Sequence, residues 1–364
     1  MVESQGSEQV LVAGPLFLDV VMGPLGHAPV PGQEQWVPGC ALAPGGAANQ
    51  AVALARLGAR AALASYAGED AAGDLVRGLL AQEGVRLDAL EAVERQSVTV
   101  SLALDGDRAM TSFGTEEFPP LRGPAPAALL TDLRGLAANA EAVGRWRREG
   151  TWVLADCGWD PTGRWDQGDL GALALADVFT PNEAEALAYT RAGTVEEAAA
   201  RLAGMCPMCV VTRGAAGALA VAPGLRAAVP APLVAATDTT GAGDVFSAAL
   251  AWALLRGRGV RGALVFAVHA AALSTTRRGG ASAAPALDEV EGFLAECGAR
   301  PTPPAPRLRP SGSAGARTQG AELRNTLPHT RAESCRCVRE VLRKPGPLCA
   351  TVGDGGLFAP QCAS

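Results

Sequence analysis

Lysine is almost missing from this chain: of its 31 basic residues only Lys344 is not an arginine. That absence excludes a phosphate-loop lysine, a Schiff-base lysine and the strand lysine of protein kinases from the first 300 residues. No apolar run approaches the ~20 residues that a membrane span requires, so no membrane partner is expected. The segment 1–9 is polar and acidic and lacks the basic-then-apolar order of a secretory signal, which predicts a cytoplasmic protein. Nine cysteines are scattered singly, four of them in the last thirty residues. Cys206 and Cys209 have the spacing of a metal or redox pair, but no second pair or nearby histidine completes a zinc site. They read as ordinary thiols in a reducing compartment.

What the chain does contain is a large apolar core. Its 364 residues are 48% hydrophobic and 19% charged, ordinary for a soluble enzyme built as one large α/β domain or two smaller ones. The net charge of −6 hides an asymmetry: residues 1–300 carry 22 basic and 33 acidic groups, and residues 301–364 carry 9 and 4. The body is too acidic for general nucleic-acid binding. Residues 301–364 hold nine prolines with Ser, Gly and Arg stretches and weak periodicity, and are expected to be a disordered tail behind a domain spanning 1–300.

Within that domain, short apolar runs alternate with segments of helical spacing. Strands are predicted at 10–14, 61–66, 128–131, 152–156, 178–181, 210–212 and 218–221. Helices are predicted at 47–57 and 71–83, then near 135–148, 183–190, 195–204, 244–256, 261–275 and 286–297. This alternation implies a mostly parallel sheet with helices on both faces, a three-layer α/β/α domain. Two stretches do not fit it. Residues 15–43 are rich in Pro and Gly with strand-like pieces at 35–37 and 40–42. Residues 97–115 alternate about Asp105-Gly106-Asp107, a hairpin signal. Both are assigned to a small β-sheet lid.

The segment Asp238-Thr239-Thr240-Gly241-Ala242-Gly243-Asp244 runs straight into an apolar helix. A glycine turn at a helix N-terminus aims backbone N–H groups at one spot, and the macrodipole makes that spot welcome an anion. Asp244 falls in the first helical turn and can face the same spot. An anion cradle with a carboxylate beside it is what phosphoryl transfer to a hydroxyl needs. A second glycine segment, Gly45-Gly46-Ala47-Ala48-Asn49-Gln50-Ala51, lets a ligand approach the backbone, with Asn49 offering both a donor and an acceptor.

Together the two segments resemble the signature regions of the PfkB, or ribokinase-like, carbohydrate kinase family. Thr180-Pro181-Asn182-Glu183-Ala184-Glu185 is similar to its Asn-x-x-Glu element, and Val211 to Gly217 to its nucleotide-site strand and turn. Phe266 to Ala272 and Thr276 to Gly279 resemble the helix and loop that flank adenine. The likeness runs over residues 10–298 in order and implies the ribokinase-like fold with its β-sheet lid. It also implies roles. Asp244 is the base on the acceptor hydroxyl, and the N–H groups of Gly241, Ala242 and Gly243 form the anion hole. Asp19, Gly45, Gly46 and Asn49 bind sugar. Asn182, Thr212, Gly214, Gly217 and His269 bind ATP, and Glu185 organises Mg2+ through water. Asp238 and Thr240 hold a monovalent cation such as K+, and lid strands pair between subunits in a homodimer.

Structural readings compete with some of these roles. Asp244 can serve the helix dipole, Asp19 and Glu185 can be solvated carboxylates, and His269 on an apolar helix is equally a packed histidine. Two departures touch the sugar site: Ala47 stands where ribokinase tends to have a lysine, and only Asp132 loosely matches its mid-chain glutamate. The expected activity is therefore an ATP-dependent kinase of a ribose- or fructose-like sugar. A nucleoside or ketodeoxygluconate is the alternative acceptor, and a non-catalytic sugar- or nucleotide-binding protein on the same scaffold is the rival reading.

Overall fold

The structure, a computed structural model, describes residues 9–104, 107–158, 160 and 162–298. The expected tail at 301–364 lies outside the described residues. The chain opens with β1 (Gln9–Ala13), crosses into β2 (Leu16–Met22) and β3 (Cys40–Gly46), and returns through α1 (Ala48–Arg56) to β4 (Arg60–Gly68). Helix α2 (Ala71–Gln82) leads to β5 (Leu90–Val93), followed by the pair β6 (Ser97–Leu104) and β7 (Asp107–Phe113). Then come β8 (Ala128–Asp132), α3 (Leu133–Ala138), α4 (Ala140–Glu149), β9 (Trp152–Asp156), β10 (Val178–Thr180), α5 (Glu183–Thr190) and α6 (Val195–Leu202). The strands β11 (Met208–Thr212), β12 (Ala218–Ala222) and β13 (Leu225–Val229) precede the last helices α7 (Ala242–Leu255), α8 (Val260–Ser274) and α9 (Leu287–Glu296).

Nine strands form one sheet in the order β13-β12-β11-β10-β9-β8-β1-β4-β5. Every neighbouring pair is parallel except β11/β12 and β12/β13. Successive side chains on a strand point to opposite faces, and each face has its own core. Val10, Val12, Leu63, Leu130 and Leu154 pack with Leu54, Leu250 and Phe266 of α1, α7 and α8. Leu11, Ala13, Leu129, Val153 and Ala155 pack with Leu136, Val143, Trp146 and Leu202 of α3, α4 and α6. Strands buried on both faces read as unbroken apolar runs, which is why they were visible in the sequence.

The second sheet, β3-β2-β6-β7, is the lid. β2 runs antiparallel to β3 and parallel to β6, and β6 and β7 form the expected hairpin. The strand-like piece 35–37 is irregular, and Trp36 stands almost wholly in solvent. Its alternation has no partner strand to pair with. The helix expected near 135–148 is broken at Asn139, whose side chain accepts from Leu121 N–H at 2.8 Å and donates to Pro119 O at 3.3 Å. An amide that satisfies neighbouring backbone groups in this way competes with helix continuation. The edge strands β5 and β13 were not anticipated; both are short, and polar or charged residues interrupt them.

Strand order reverses at β1: the chain moves outward through β4 and β5 on one side, then through β8 to β13 on the other. Connections leaving β1 and β8 diverge, opening a crevice at their carboxyl ends, where open α/β sheets bind ligands.

Gly217 is positioned by the fold and does not face this crevice. It is buried with φ 86° and ψ −129°, and a Cβ there would lie 1.9 Å from Val229 O. Gly217→Ala should cost at least ~2 kcal/mol of unfolding free energy, since glycine-only backbone strain is compounded by a backbone clash. Gly144→Ala, in an open stretch of α4, should be neutral or stabilising by about 0.5–1 kcal/mol. Urea denaturation of both variants checks the contrast.

Candidate active site

A cleft of about 490 Å³ lies at the crevice. Its floor is the carboxyl ends of five parallel strands: Ala13, Thr131 and Asp132, Asp156, Thr180, and Thr212. Phe17 and Arg108 come down from the lid, and Thr239, Gly241, Gly243 and Asp244 close one side.

Gly241 takes the left-handed conformation, φ 71°, as the residue before α7, and a Cβ there would stand 3.0 Å from Gly280 Cα. Only glycine accepts both conditions without strain. The first turn of a helix leaves its N–H groups without intrahelical acceptors. Of the three residues expected to form an anion hole, Gly241 and Gly243 line the cleft; the N–H of Ala242 donates to Thr239 O at 3.2 Å and is already engaged. Asp238 pins the loop: its carboxylate accepts from Thr240 N–H (2.9 Å), Thr240 Oγ1 (2.6 Å) and Gly279 N–H (2.9 Å). Burial pushes its pKa up, but these bonds and the Arg108 charge together hold it below the ordinary aspartate value.

Asp244 sits in the first turn of α7, half-buried. Asn49 Nδ2 donates to its Oδ2 at 3.0 Å and Gln50 Nε2 to its Oδ1 at 3.3 Å. Burial raises its pKa to about 6, against those two hydrogen bonds, which lower it. Gln50 Nε2 also donates to Asp156 Oδ2 at 3.1 Å, and Ser247 Oγ reaches the same oxygen at 3.4 Å. Burial, then the Asp244 charge, pushes the Asp156 pKa well above the ordinary value.

On the lid side, burial raises Asp19 to about 6, with Arg108 opposing and Asp244 adding to the rise. A Cβ on Gly45 would stand 2.1 Å from an Asp19 carboxylate oxygen, so this glycine admits the carboxylate. Gly46 has φ 63° and turns the chain from β3 into α1. Asp132 also faces the cleft; burial lifts it to about 6 while the Gly135 N–H it caps at 2.7 Å lowers it.

Asn182 and Glu185 reach the cleft from the start of α5, where they form a reciprocal cap: Glu185 N–H donates to Asn182 Oδ1 at 2.9 Å, and Asn182 N–H donates to Glu185 Oε2 at 2.8 Å. Burial raises the Glu185 pKa. Thr212 lines the cleft and exposed Gly214 follows it at φ 52°. His269 is elsewhere. It is buried on α8, its Nδ1 lies 2.8 Å from Val265 O, and its ring packs on Phe293 at 5.7 Å. Burial lowers its pKa, and its contacts are those of a packed histidine.

Three cleft residues escaped the sequence reading. Gln50 lay inside a recognised motif, and Asp156 ended a recognised strand; a carboxylate closing an apolar strand is a signal for the ligand edge of a parallel sheet. Arg108 lay in the lid hairpin with no local mark. Its guanidinium donates to Thr240 Oγ1, joining the lid to the glycine loop. Among the described residues no cluster of three or more His, Cys, Asp or Glu could hold a metal ion, and no helix is long and apolar enough to cross a membrane. Cys206 and Cys209 are free and buried.

Residues 9–117 and 137–287 match the pfkB family carbohydrate kinases. The chain is 33% identical over 290 residues to the fructokinase of Klebsiella pneumoniae, covering 69% of this chain and 92% of that protein. It is 28% identical over 272 residues to the ribokinase of Haemophilus influenzae, covering 69% and 86%. It superposes with a TM-score of 0.65 on the aminoimidazole riboside kinase of Salmonella enterica, solved with aminoimidazole riboside and an ATP analogue, at 25% identity and 79% and 99% coverage. The chain belongs to the pfkB family of carbohydrate kinases.

Proposed function

We propose that the cleft transfers the γ-phosphoryl group of ATP to a hydroxyl of a ribose- or fructose-like sugar, with Asp244 as the base. One observation carries this reading: a carboxylate raised to about 6 is held by two amides beside the open N-terminus of α7, at the ligand edge of the sheet. The sugar lies between the strand ends and the lid, where Asp19, Gly45, Gly46 and Asp132 present carboxylates and open backbone. The γ-phosphoryl rests against Gly241 and Gly243. The sugar oxygen forms a bond to γ-phosphorus as the bond from phosphorus to the β–γ bridging oxygen breaks. The hydroxyl proton passes to Asp244, and ADP leaves. Closing the lid through Arg108 excludes water, which strengthens every charge interaction inside.

Mg2+ fits this site as an ion carried in with nucleotide. The available protein ligands are few, Asn182 and Glu185, and Mg2+ is commonly held by one or two carboxylates plus phosphates and retained waters. It would neutralise charge on the phosphates. Thr212 and Gly214 flank the nucleotide side. Asp238, held ionised, and Thr240 are the candidate residues for a monovalent cation, K+ by ionic class.

A cytoplasmic homodimer fits the exterior. The lid exposes Trp36 (89%), Met110 (59%), Phe113 (58%) and Leu42 (48%), and its edge strands β3 and β7 are open to pairing within this sheet.

ADP release over a panel of sugars and nucleosides should show turnover with one acceptor class, and Asp244→Asn should lower it by ~10²–10⁴ without loss of fold. Near-normal turnover in that variant would remove Asp244 as the base; binding of sugar or nucleotide with no release for any acceptor would favour a non-catalytic protein. Because a base must be ionised and Asp244 titrates at about 6, kcat/KM should fall as pH drops below that value, approaching tenfold per pH unit. A pH-independent rate from 5 to 8 would contradict it. Light scattering should give twice the 36.9 kDa chain mass, and a monomer at micromolar concentration would overturn the dimer.

A further inference from the structure

We propose that Asp156 is a positioning residue for the transfer: acting through the amide of Gln50, it holds the Asp244 carboxylate in place. The inference rests on Asp244 being the base. Gln50 Nε2 carries two protons, and the structure gives it two acceptors, Asp156 Oδ2 at 3.1 Å and Asp244 Oδ1 at 3.3 Å. The Asp244 carboxylate accepts one amide proton and Asp156 Oδ2 the other, so the amide is used with its NH2 toward both. Asp156 is itself anchored from three directions. Its Oδ1 accepts from Cys157 N–H at 2.7 Å, and its Oδ2 takes Gln50 and the hydroxyl of Ser247. Ser247 also lies 3.0 Å from Thr180 Oγ1, which donates to Ala155 O at 3.2 Å. Residues from β9, β10 and α7 thus fix Asp156, and Asp156 fixes Gln50.

The consequence for Asp244 is geometric. Asn49 and Gln50 each take one of its oxygens, and the cleft lies beside what remains. The groups around the pair are the uncharged amides of α1, Asp156 from β9 and Asp19 from β2, with Arg108 of β7 opposing Asp19 and Glu185 and Asp132 acting on Asp156. Asp156 is tied to Asp244 by a shared donor. Losing it would leave Gln50 free to turn its carbonyl toward Asp244 and would make the base less well aimed.

The test is a cycle of Asp156→Asn, Gln50→Ala and the double variant, with kcat, KM for each substrate and the thermal unfolding midpoint. Each single variant should lower kcat by about 10- to 100-fold with little change in KM for ATP. In Asp156→Asn the loss should fall on kcat and not on KM or on the unfolding midpoint, a split that a merely structural role would not produce. The double variant should be no slower than the slower single one, because both cut the same link. A folded Asp156→Asn enzyme with wild-type kcat would overturn the proposal. Multiplying losses in the double variant would do the same. If Asp156→Asn does not fold, Gln50→Ala alone decides, and wild-type kcat in that variant overturns it. Asp244→Asn run in parallel separates the two levels: turnover there removes the base assignment, whereas its loss beside a normal Asp156→Asn enzyme removes only the role of Asp156.

Discussion

The active cleft depends on one arrangement, two carboxylates held together by the amides of a single helix turn. Asp156 and Asp244 share the Gln50 amide nitrogen, so the bonded oxygens lie no more than about 6.4 Å apart. Gln50 and Asn49 hold Asp244 with hydrogen bonds to a charged group, each worth about 1.5–3 kcal/mol. They reach Asp244 because α1 and α7 approach closely, and that requires small residues. Ala48, Ala51 and Ala53 of α1 and Ala248 and Ala249 of α7 are all buried in one core.

The second constraint is topological. The candidate site residues come from several elements, and local structure alone does not bring them together. Asp132, Asp156, Thr180 and Thr212 end successive parallel strands, and a parallel sheet places all such ends along one edge. The glycine loop before α7 and the lid then face that edge from two sides. The Arg108–Thr240 bond joins the two, so the position of the lid and the shape of the glycine loop are not independent.

The strands buried on both faces and the helices between them were legible because their apolar periodicity is dictated by burial. The glycine turns at 46 and 241 were legible as local chemistry, whereas Asn182 and Glu185, read only as a family-like element, proved to close a capping box. What local pattern could not resolve was orientation. His269 sits in a stretch that resembles an adenine-flanking helix, yet its ring points at Phe293. Gly217 sits in a nucleotide-site turn, yet its missing Cβ makes room for the carbonyl of Val229. Ala242 lies between two cleft residues, yet its N–H is spent on Thr239.

By itself the sequence determined the layer order, the lid segments and the reaction class, because each follows from spacing within a short stretch of chain. Which groups surround Asp244 was decided only by tertiary structure. Gln50 and Asp244 are 194 residues apart and Gln50 and Asp156 are 106 apart, so their meeting depends on sheet order and helix crossing. Raised carboxylate pKa values at Asp19, Asp132, Asp156 and Asp244 have the same origin. Burial is their leading cause, and burial is a property of the packed fold that no stretch of sequence carries alone.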